Sequence, residues 1–141
     1  MSQDERRARL RTALPAVVWF LFIMTLLSLP GTSFPVVRIW QPDKIAHILL
    51  FGVQQALLWL ALELPLPRFS SPAKALFASF AATVAFGILS EVYQDVATSR
   101  MLDPYDMIAN TVGALLSTGI ILGTGTQRVL NRARRLFRLD T

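Results

Sequence analysis

The residues best suited to acid–base or binding chemistry in this 141-residue chain lie at the ends of long apolar segments. The single histidine, His47, lies one helical turn into one segment, and Glu91 and Asp106 lie near the ends of two others. An imidazole beside a carboxylate is a plausible acid–base pair, because burial and neighbouring charge move pKa values towards neutrality. We therefore predict His47, Glu91 and Asp106 as candidate catalytic residues. The sequence does not identify the nucleophile: water or a substrate hydroxyl could serve, and none of the hydroxyl residues near the outer surface is set apart, namely Ser90, Tyr93, Thr98, Ser99 and Tyr105.

Further polar residues lie beside these three in the sequence and could hold a ligand. Lys44 and His47 are three residues apart and share a helix face, as do Glu91 and Gln94. The predicted ligand-binding residues are Asp43, Lys44, Gln94, Arg100, Asp103 and Asn110. The two cations among them, Lys44 and Arg100, would suit the phosphate or pyrophosphate of a lipid headgroup.

The sequence gives little support to a bound metal or other cofactor. The chain has no cysteine, and a single histidine excludes any site that needs two. A Mg²⁺ or Ca²⁺ site made from Asp43, Glu91, Asp103 or Asp106 is an alternative, since oxygen ligands suit these ions. The cations among those carboxylates oppose it, so we predict no metal and no cofactor.

The composition is that of a membrane protein. Hydrophobic residues make up 53% of the chain and charged residues only 16%, which is too little polar surface for a soluble fold of this length. The net charge of +5 does not indicate a nucleic-acid partner, because the arginines flank apolar segments near the two termini.

Four apolar runs predict an all-α fold, a bundle of four transmembrane helices. The runs cover residues 13–29, 45–62, 73–92 and 105–122. Each has about 17–20 residues, enough to span a hydrocarbon core of roughly 30 Å. No proline lies in the middle of a run, and Asp103, Pro104 and Asp106 suit the N-cap, N1 and N3 positions of the fourth helix.

The distribution of positive charge predicts that both termini lie in the cytoplasm, since most of the 14 basic residues then fall on the inner side. Residues 1–12 form a basic cytoplasmic segment, residues 13–123 the transmembrane domain, and residues 124–141 a basic amphipathic tail. We expect the apolar face of this tail to lie against anionic lipid. A cleaved signal peptide over residues 1–33 is a less favoured alternative.

Small and polar residues within the runs predict how the helices pack. The third helix is rich in alanine, serine and glycine over residues 78–87, so we expect it to be the packing spine. Gly119 and Gly123 should pack within the bundle, with homodimerisation as the alternative. Gln54, near mid-membrane, should make an interhelical hydrogen bond. The cytoplasmic helix ends show no polar set comparable to that at the outer ends, where polar groups should converge on one outward-opening pocket.

Four short motifs stand in order at the predicted helix ends. They are Leu27-Ser28-Leu29-Pro30, Asp43-Lys44-x-x-His47, Glu91-x-x-Gln94 and Arg100-x-x-Asp103-x-x-Asp106-x-x-x-Asn110-x-x-Gly113. Together, over residues 25–117, they resemble the VanZ-like family, named after a teicoplanin-resistance membrane protein of bacteria. Asp95 and Ser117 depart from the family pattern. The resemblance implies a small multi-pass protein of the bacterial plasma membrane, linked to envelope or glycopeptide-antibiotic phenotypes, and it implies no reaction.

These observations predict a protein that binds or modifies a lipid-linked or amphiphilic component of the cell envelope. The expected partner is a membrane lipid or a lipid-linked envelope precursor. The sequence does not decide whether the chain forms a homo-oligomer. Two alternatives remain at this point. The polar residues could serve only to lock helix ends together in a structural or accessory protein, or the chain could be a small transporter that acts as an oligomer.

Overall fold

A computed structural model describes residues 2–29, 42–64, 67–98, 101–137 and 139. In these ranges the chain forms five helices: α1 (Gln3–Ser28), α2 (Pro42–Glu63), α3 (Pro72–Ala97), α4 (Pro104–Thr124) and α5 (Thr126–Leu136). The first four are long and apolar enough to cross a membrane. The predicted all-α, four-helix bundle of a multi-pass membrane protein is confirmed.

Local hydrogen bonds explain where three of the helices begin. Ser2 and Glu5 form a capping box at α1, in which each side chain accepts from the backbone N–H of the other residue. Ser71 caps α3 by accepting from the backbone N–H of Lys74. Asp103 caps α4 as predicted, with Pro104 in the first turn. Because α1 begins at Gln3, the predicted basic N-terminal segment is the first part of the first membrane helix.

The outer surface of the bundle is apolar, and its interior contains polar side chains as well as apolar ones. Leu89, Leu116 and Ile120 are each more than half exposed, whereas Ser79 and Thr83 are buried. This pattern is expected in lipid, which solvates leucine and isoleucine but offers no hydrogen bonds to a hydroxyl or an amide. The outer surfaces of α1–α4 are therefore suited to contact lipid tails.

The central helix is α2, which packs against α1, α3 and α4. Its closest approach is to α4, where a Cβ added at Gly113 would collide with the backbone carbonyl of Ile48, and one added at Gly52 would lie 3.2 Å from the carbonyl oxygen of Gly113. The prediction that α3 is the packing spine is wrong. Two facing glycines bring α2 and α4 closer together than the alanines of α3 can bring their neighbours.

Gly119 and Gly123 of α4 have no packing role inside the bundle. A Cβ added at Gly119 or Gly123 would meet nothing within 4 Å. The expectation that these glycines pack within the bundle is therefore wrong, because they lie on the exposed side of α4, away from the face that carries Gly113. Homodimerisation through them stays a prediction.

A buried amide joins three helices near the centre of the bundle, and it belongs to Gln55. Gln55 donates to the hydroxyls of Ser79 (3.0 Å) and Thr118 (3.2 Å), and accepts from Thr83 (3.1 Å). Gln54, for which this role was expected, has a buried Oε1 with no hydrogen-bond partner among the described residues. Successive residues point about 100° apart around a helix, so only one of the two amides can face α3 and α4 together.

The basic tail packs on the bundle as helix α5. Gly125, at a φ of +83°, makes the turn from α4, a conformation that glycine adopts without strain. Leu130 and Ala133 are then buried against a core that includes Trp59 and Leu64. The expectation that this apolar face lies against lipid is wrong, because the end of the bundle offers an apolar surface of its own. The opposite face of α5 exposes Arg128, Arg132 and Arg135.

Candidate functional site

Most of the predicted site residues meet at the end of the bundle where α2 and α4 begin and α3 ends. We call this group the polar cluster; it consists of Asp43, Lys44 and His47 of α2, Glu91 of α3, the N-cap Asp103, and Asp106 and Asn110 of α4. His47, Glu91, Asp106 and Asn110 are each no more than 2% exposed. The predicted convergence of ionisable side chains from three helices is therefore present in the fold.

Lys44 is bound by carboxylates on two sides. Its ammonium donates to Asp103 at 2.5 Å and to Oδ1 of Asp106, and lies 4.0 Å from a carboxylate oxygen of Asp43. The Asp106 side chain is 3% exposed, so this ion pair is largely shielded from water. Lys44 thereby fixes the start of α4 on the start of α2.

Asp103 divides its two oxygens between two partners. One oxygen bonds to Lys44, and the other accepts the backbone N–H of Tyr105 at 2.8 Å. Both donors stabilise the ionised form, so the hydrogen bond from Lys44 and then the bond from Tyr105 lower the pKa of Asp103. The α4 cap is therefore anionic over the neutral pH range.

The orientation of the His47 ring follows from its neighbours. Asn110 donates its amide nitrogen to the backbone carbonyl of Gly87 at 3.3 Å, so its oxygen must be the atom that faces His47. Nδ1 of His47 is 2.8 Å from that oxygen and therefore carries a proton, which it donates. The other ring nitrogen, Nε2, faces Asp43 at 3.9 Å and Asp106 at 3.8 Å.

The predicted acid–base partners of His47 are close to the ring without being hydrogen-bonded to it. Glu91 Oε1 lies 3.8 Å from Nδ1, and Asp106 Oδ2 lies 3.8 Å from Nε2. Direct proton transfer needs about 2.6–3.2 Å between heavy atoms, or one intervening water. The catalytic assignment of His47, Glu91 and Asp106 therefore stays a prediction, and it would require a bridging atom.

One predicted ligand-binding residue, Gln94, stands apart from the polar cluster, and a second is not among the described residues. Gln94 is buried, as its shared face with Glu91 requires, but its amide donates to the backbone carbonyl of Leu27 at 3.1 Å and so ties α3 to α1. Arg100 lies outside the described residues. Lys44 already has carboxylate partners, which weakens the expectation that it binds phosphate directly.

Negative charge predominates in the polar cluster. Four carboxylates, those of Asp43, Glu91, Asp103 and Asp106, surround the single ammonium of Lys44, so the formal charge is −4 + 1 = −3 with a neutral imidazole. Like charges held close together repel each other strongly when water is excluded. The cluster as described attracts cations and hydrogen-bond donors more than anions.

An apolar cavity lies in the flank of the bundle, deeper than the polar cluster. Its volume is about 300 Å³, and its walls come from α1 (Ala16, Val17, Phe20), α2 (Gln54, Leu58) and α3 (Ala82, Thr83, Phe86). Phe51 lies between the cavity and the cluster. Its ring centroid is 6.4 Å from that of His47, with the two rings parallel, and 5.2 Å from that of Phe86. The cavity therefore does not coincide with the polar pocket that the sequence predicts.

Sequence reasoning missed a second set of polar contacts at the opposite end of the bundle. Thr12 of α1 donates to the backbone carbonyl of Leu64 at 3.0 Å, and Glu63 is 2% exposed. Arg134 of α5 lies close enough to Glu63 for electrostatic attraction. The expectation of no comparable set there needs correction. A lone glutamate at the end of an apolar helix, with arginine-rich segments at both termini, was the available signal.

No protein-family model, curated protein or solved structure matches this chain. The VanZ-like resemblance therefore rests on its motifs alone.

Proposed function

We propose that this multi-pass membrane protein lies in the bacterial plasma membrane and binds a lipid-linked or amphiphilic component of the cell envelope. The observation that carries the proposal is the polar cluster, in which ionisable side chains from three helices are buried together at one end of the bundle. Apolar side chains would hold helix ends together at lower cost, because buried ion pairs contribute little net stability. Ionisable groups inside a membrane therefore favour a functional site.

The proposed orientation places the polar cluster on the outer face of the membrane. The end opposite the cluster carries the first turns of α1 and the whole of α5, with their arginines. Basic residues near membrane helices favour the cytoplasmic side. Both termini would then be cytoplasmic, and the cluster would be reached from the outer leaflet.

The ligand we propose has a polar head and an apolar chain. The carboxylates of the polar cluster suit the hydroxyl and amine groups of a sugar or amino-acid head, since ionised carboxylates accept strong hydrogen bonds. The apolar cavity bounded by Phe20, Leu58 and Phe86 lies in the flank of the bundle and is separated from the polar cluster by Phe51, so part of a hydrocarbon chain would enter it from the lipid side. The VanZ-like motifs agree with an envelope ligand and with an effect on glycopeptide susceptibility.

A second candidate role is a lock between helix ends, and the tight pairing in the polar cluster favours it. Lys44 is paired with Asp103 and Asp106, and His47 is hydrogen-bonded to Asn110. In this role the protein would be a structural or accessory component of the membrane. Bound ligand would not be needed for any of these contacts.

Native mass spectrometry of the protein extracted with bacterial lipid separates the two roles. We expect the wild-type chain to retain one class of envelope amphiphile in preference to bulk phospholipid. In Glu91→Gln the amount of retained ligand should fall at least about tenfold, because the substitution removes a buried carboxylate from the cluster. The matched control is Asp95→Asn, which changes an exposed carboxylate of the same helix and should retain the ligand.

The wild-type protein alone can give a result that contradicts the proposal, so the test does not depend on whether Glu91→Gln folds. A folded wild-type protein that carries only bulk phospholipid, in proportion to its abundance, would contradict ligand binding and favour the helix lock. The lock also predicts that cells carrying the paired replacement Lys44→Met with Asp106→Leu keep the glycopeptide susceptibility of cells with the wild-type protein. A buried ion pair can be exchanged for apolar residues at little cost in stability. A ligand site predicts that the same pair of replacements changes the susceptibility.

A further inference from the structure

We propose that Asp43, His47 and Asp106 bind a divalent transition-metal ion, Mn²⁺ or Zn²⁺. One nitrogen and two carboxylates can offer ligand atoms that all lie within 4.8 Å of one another. His47 and Asp43 are one helical turn apart on α2, and Asp106 faces them from the first turn of α4. The ion would therefore join the same two helices that Lys44 joins.

The distances around Nε2 of His47 favour a shared ion over direct pairing. Its separations of 3.9 Å from Asp43 and 3.8 Å from Asp106 are too long for hydrogen bonds. Zinc binds nitrogen and oxygen ligands at about 2.0–2.2 Å, so two ligands of one ion lie roughly 3–4.4 Å apart. Nε2 is thus placed about as a metal ligand should be, and the described residues give it no hydrogen bond.

The second ring nitrogen supplies an independent indication. His47 is 2% exposed, and the side-chain oxygen of Asn110, whose amide nitrogen donates to the carbonyl of Gly87, accepts a hydrogen bond from Nδ1. This contact leaves Nε2 as the ring nitrogen that faces the two carboxylates. Histidines that ligate metals almost always donate their other N–H in this way, which fixes the tautomer and the ring orientation.

Lys44 limits the affinity of this site without occupying it. Its ammonium bonds to Asp103 and to Oδ1 of Asp106, whereas Oδ2 of Asp106 faces His47. The four carboxylates of the polar cluster exceed what one lysine can neutralise, which leaves the formal charge of −3. The Asp43 side chain is 51% exposed, so an ion can enter from the aqueous side.

The ligand types select the kind of ion. Imidazole suits Zn²⁺ and other transition metals, and carboxylates suit Mn²⁺, whereas Mg²⁺ and Ca²⁺ prefer oxygen ligands alone. Three protein ligands leave at least one coordination position open for water or for an anionic group of a ligand. The inference stands whether or not the proposed amphiphile binds, since the ion needs only this chain's own residues.

The test is Mn²⁺ titration of the full-length protein in detergent, after treatment with a chelator, followed by electron paramagnetic resonance. We expect one bound ion per chain, displaced by Zn²⁺ and not by equimolar Mg²⁺. Bound Mn²⁺ should show hyperfine coupling to one imidazole nitrogen. His47→Gln should weaken binding by about tenfold or more and abolish the nitrogen coupling. Asp95→Asn, on the exposed surface of α3, should bind as the wild type does.

The coupling measurement needs only the wild-type protein, so misfolding of a variant cannot obscure the result. No bound Mn²⁺ or Zn²⁺ at millimolar concentration would overturn the inference. Bound Mn²⁺ without nitrogen coupling would overturn it as well, because the ion would then lie among carboxylates alone. Neither result bears on ligand retention in the mass-spectrometry test, so the two proposals can fail separately.

Discussion

Asp106 uses its two carboxylate oxygens for two different neighbours, and this division organises the polar cluster. Oδ1 bonds to the ammonium of Lys44, and Oδ2 faces the ring nitrogen of His47 at 3.8 Å. The same residue occupies the first turn of α4, where free backbone N–H groups and the helix dipole favour a negative charge. One side chain therefore links the start of a helix, an ion pair and the candidate site.

The residue-scale prediction concerns acid stability and Asp103. Its pKa is lower in the folded chain than in the unfolded one, so its contribution to stability is present above the unfolded value of about 3.9 and is lost as the pH falls through the folded value. We expect the melting temperature of the wild-type protein to fall more steeply below about pH 4 than that of Asp103→Asn.

The control for this prediction is Lys44→Met, which removes the hydrogen bond that lowers the Asp103 pKa most. In the Lys44→Met background, Asp103→Asn should have a much smaller effect on how steeply the melting temperature falls below about pH 4. An equal change in both backgrounds, measured by thermal unfolding in detergent between pH 3 and pH 7, would show that Lys44 is not the cause.

Individual side chains differed in how far the sequence could place them. The cap at Asp103 and the shared face of Asp106, Asn110 and Gly113 follow from spacing within one helix, and all three of those α4 residues are buried. The choice between Gln54 and Gln55 depended on how α2 is rotated relative to its neighbours. Spacing within a single helix contains no information on that rotation, and the prediction failed there.

At the scale of the elements, the contact between α2 and α4 determines the geometry of the polar cluster. Gly52 and Gly113 allow the two backbones to come together, which places Lys44 beside Asp106 and His47 beside Asn110. Gly87 does the same on α3, where an added Cβ would lie 2.9 Å from the Cβ of Asn110. The glycines are therefore as necessary to the site as the charged residues.

Substitution of Gly113 tests this contact. Gly113→Ala would place a methyl group against the backbone carbonyl of Ile48, which cannot move without moving α2. We expect the protein to lose about 1–3 kcal/mol or more of unfolding free energy. Gly119→Ala is the matched control on the same helix, and it should be neutral or slightly stabilising, because its Cβ meets open space.

Unfolding in mixed micelles, followed by circular dichroism, gives both values. Equal stability of the two alanine variants would contradict the close packing of α2 on α4. A loss confined to Gly113→Ala would confirm it.

The sequence predicted the existence of the four membrane helices because long apolar runs have few other solutions in lipid. It did not predict which helix is central, since that depends on which glycines face each other across two helices. It also misplaced the tail, for a related reason. Amphipathicity shows that α5 has an apolar face, but whether lipid or the exposed end of the bundle covers that face depends on the assembled structure.

On the scale of the whole molecule, the described residues at the two ends of the bundle differ in charge. The end where α1 begins and α5 packs holds the arginines of these two helices and the buried Glu63, which Arg134 attracts, and the other end holds the carboxylates of the polar cluster. The arginines at the first end are the basis of the proposed orientation in the membrane. Among the described residues, the polar cluster is where cations and hydrogen-bond donors meet a surplus of carboxylates.

The central claim is that ionisable groups of separate helices meet in one cluster, and zero-length cross-linking with a carbodiimide in membranes tests it most directly. The chain has two lysines, Lys44 and Lys74. We predict an amide bond from Lys44 to Asp103 or Asp106, identified by peptide mass spectrometry and absent in Lys44→Arg. Lys74, which bonds to Ser70 at 3.0 Å, is the internal control and should form no such link. If Lys44 reacts freely with an amine reagent but never links to the start of α4, the cluster does not exist as described.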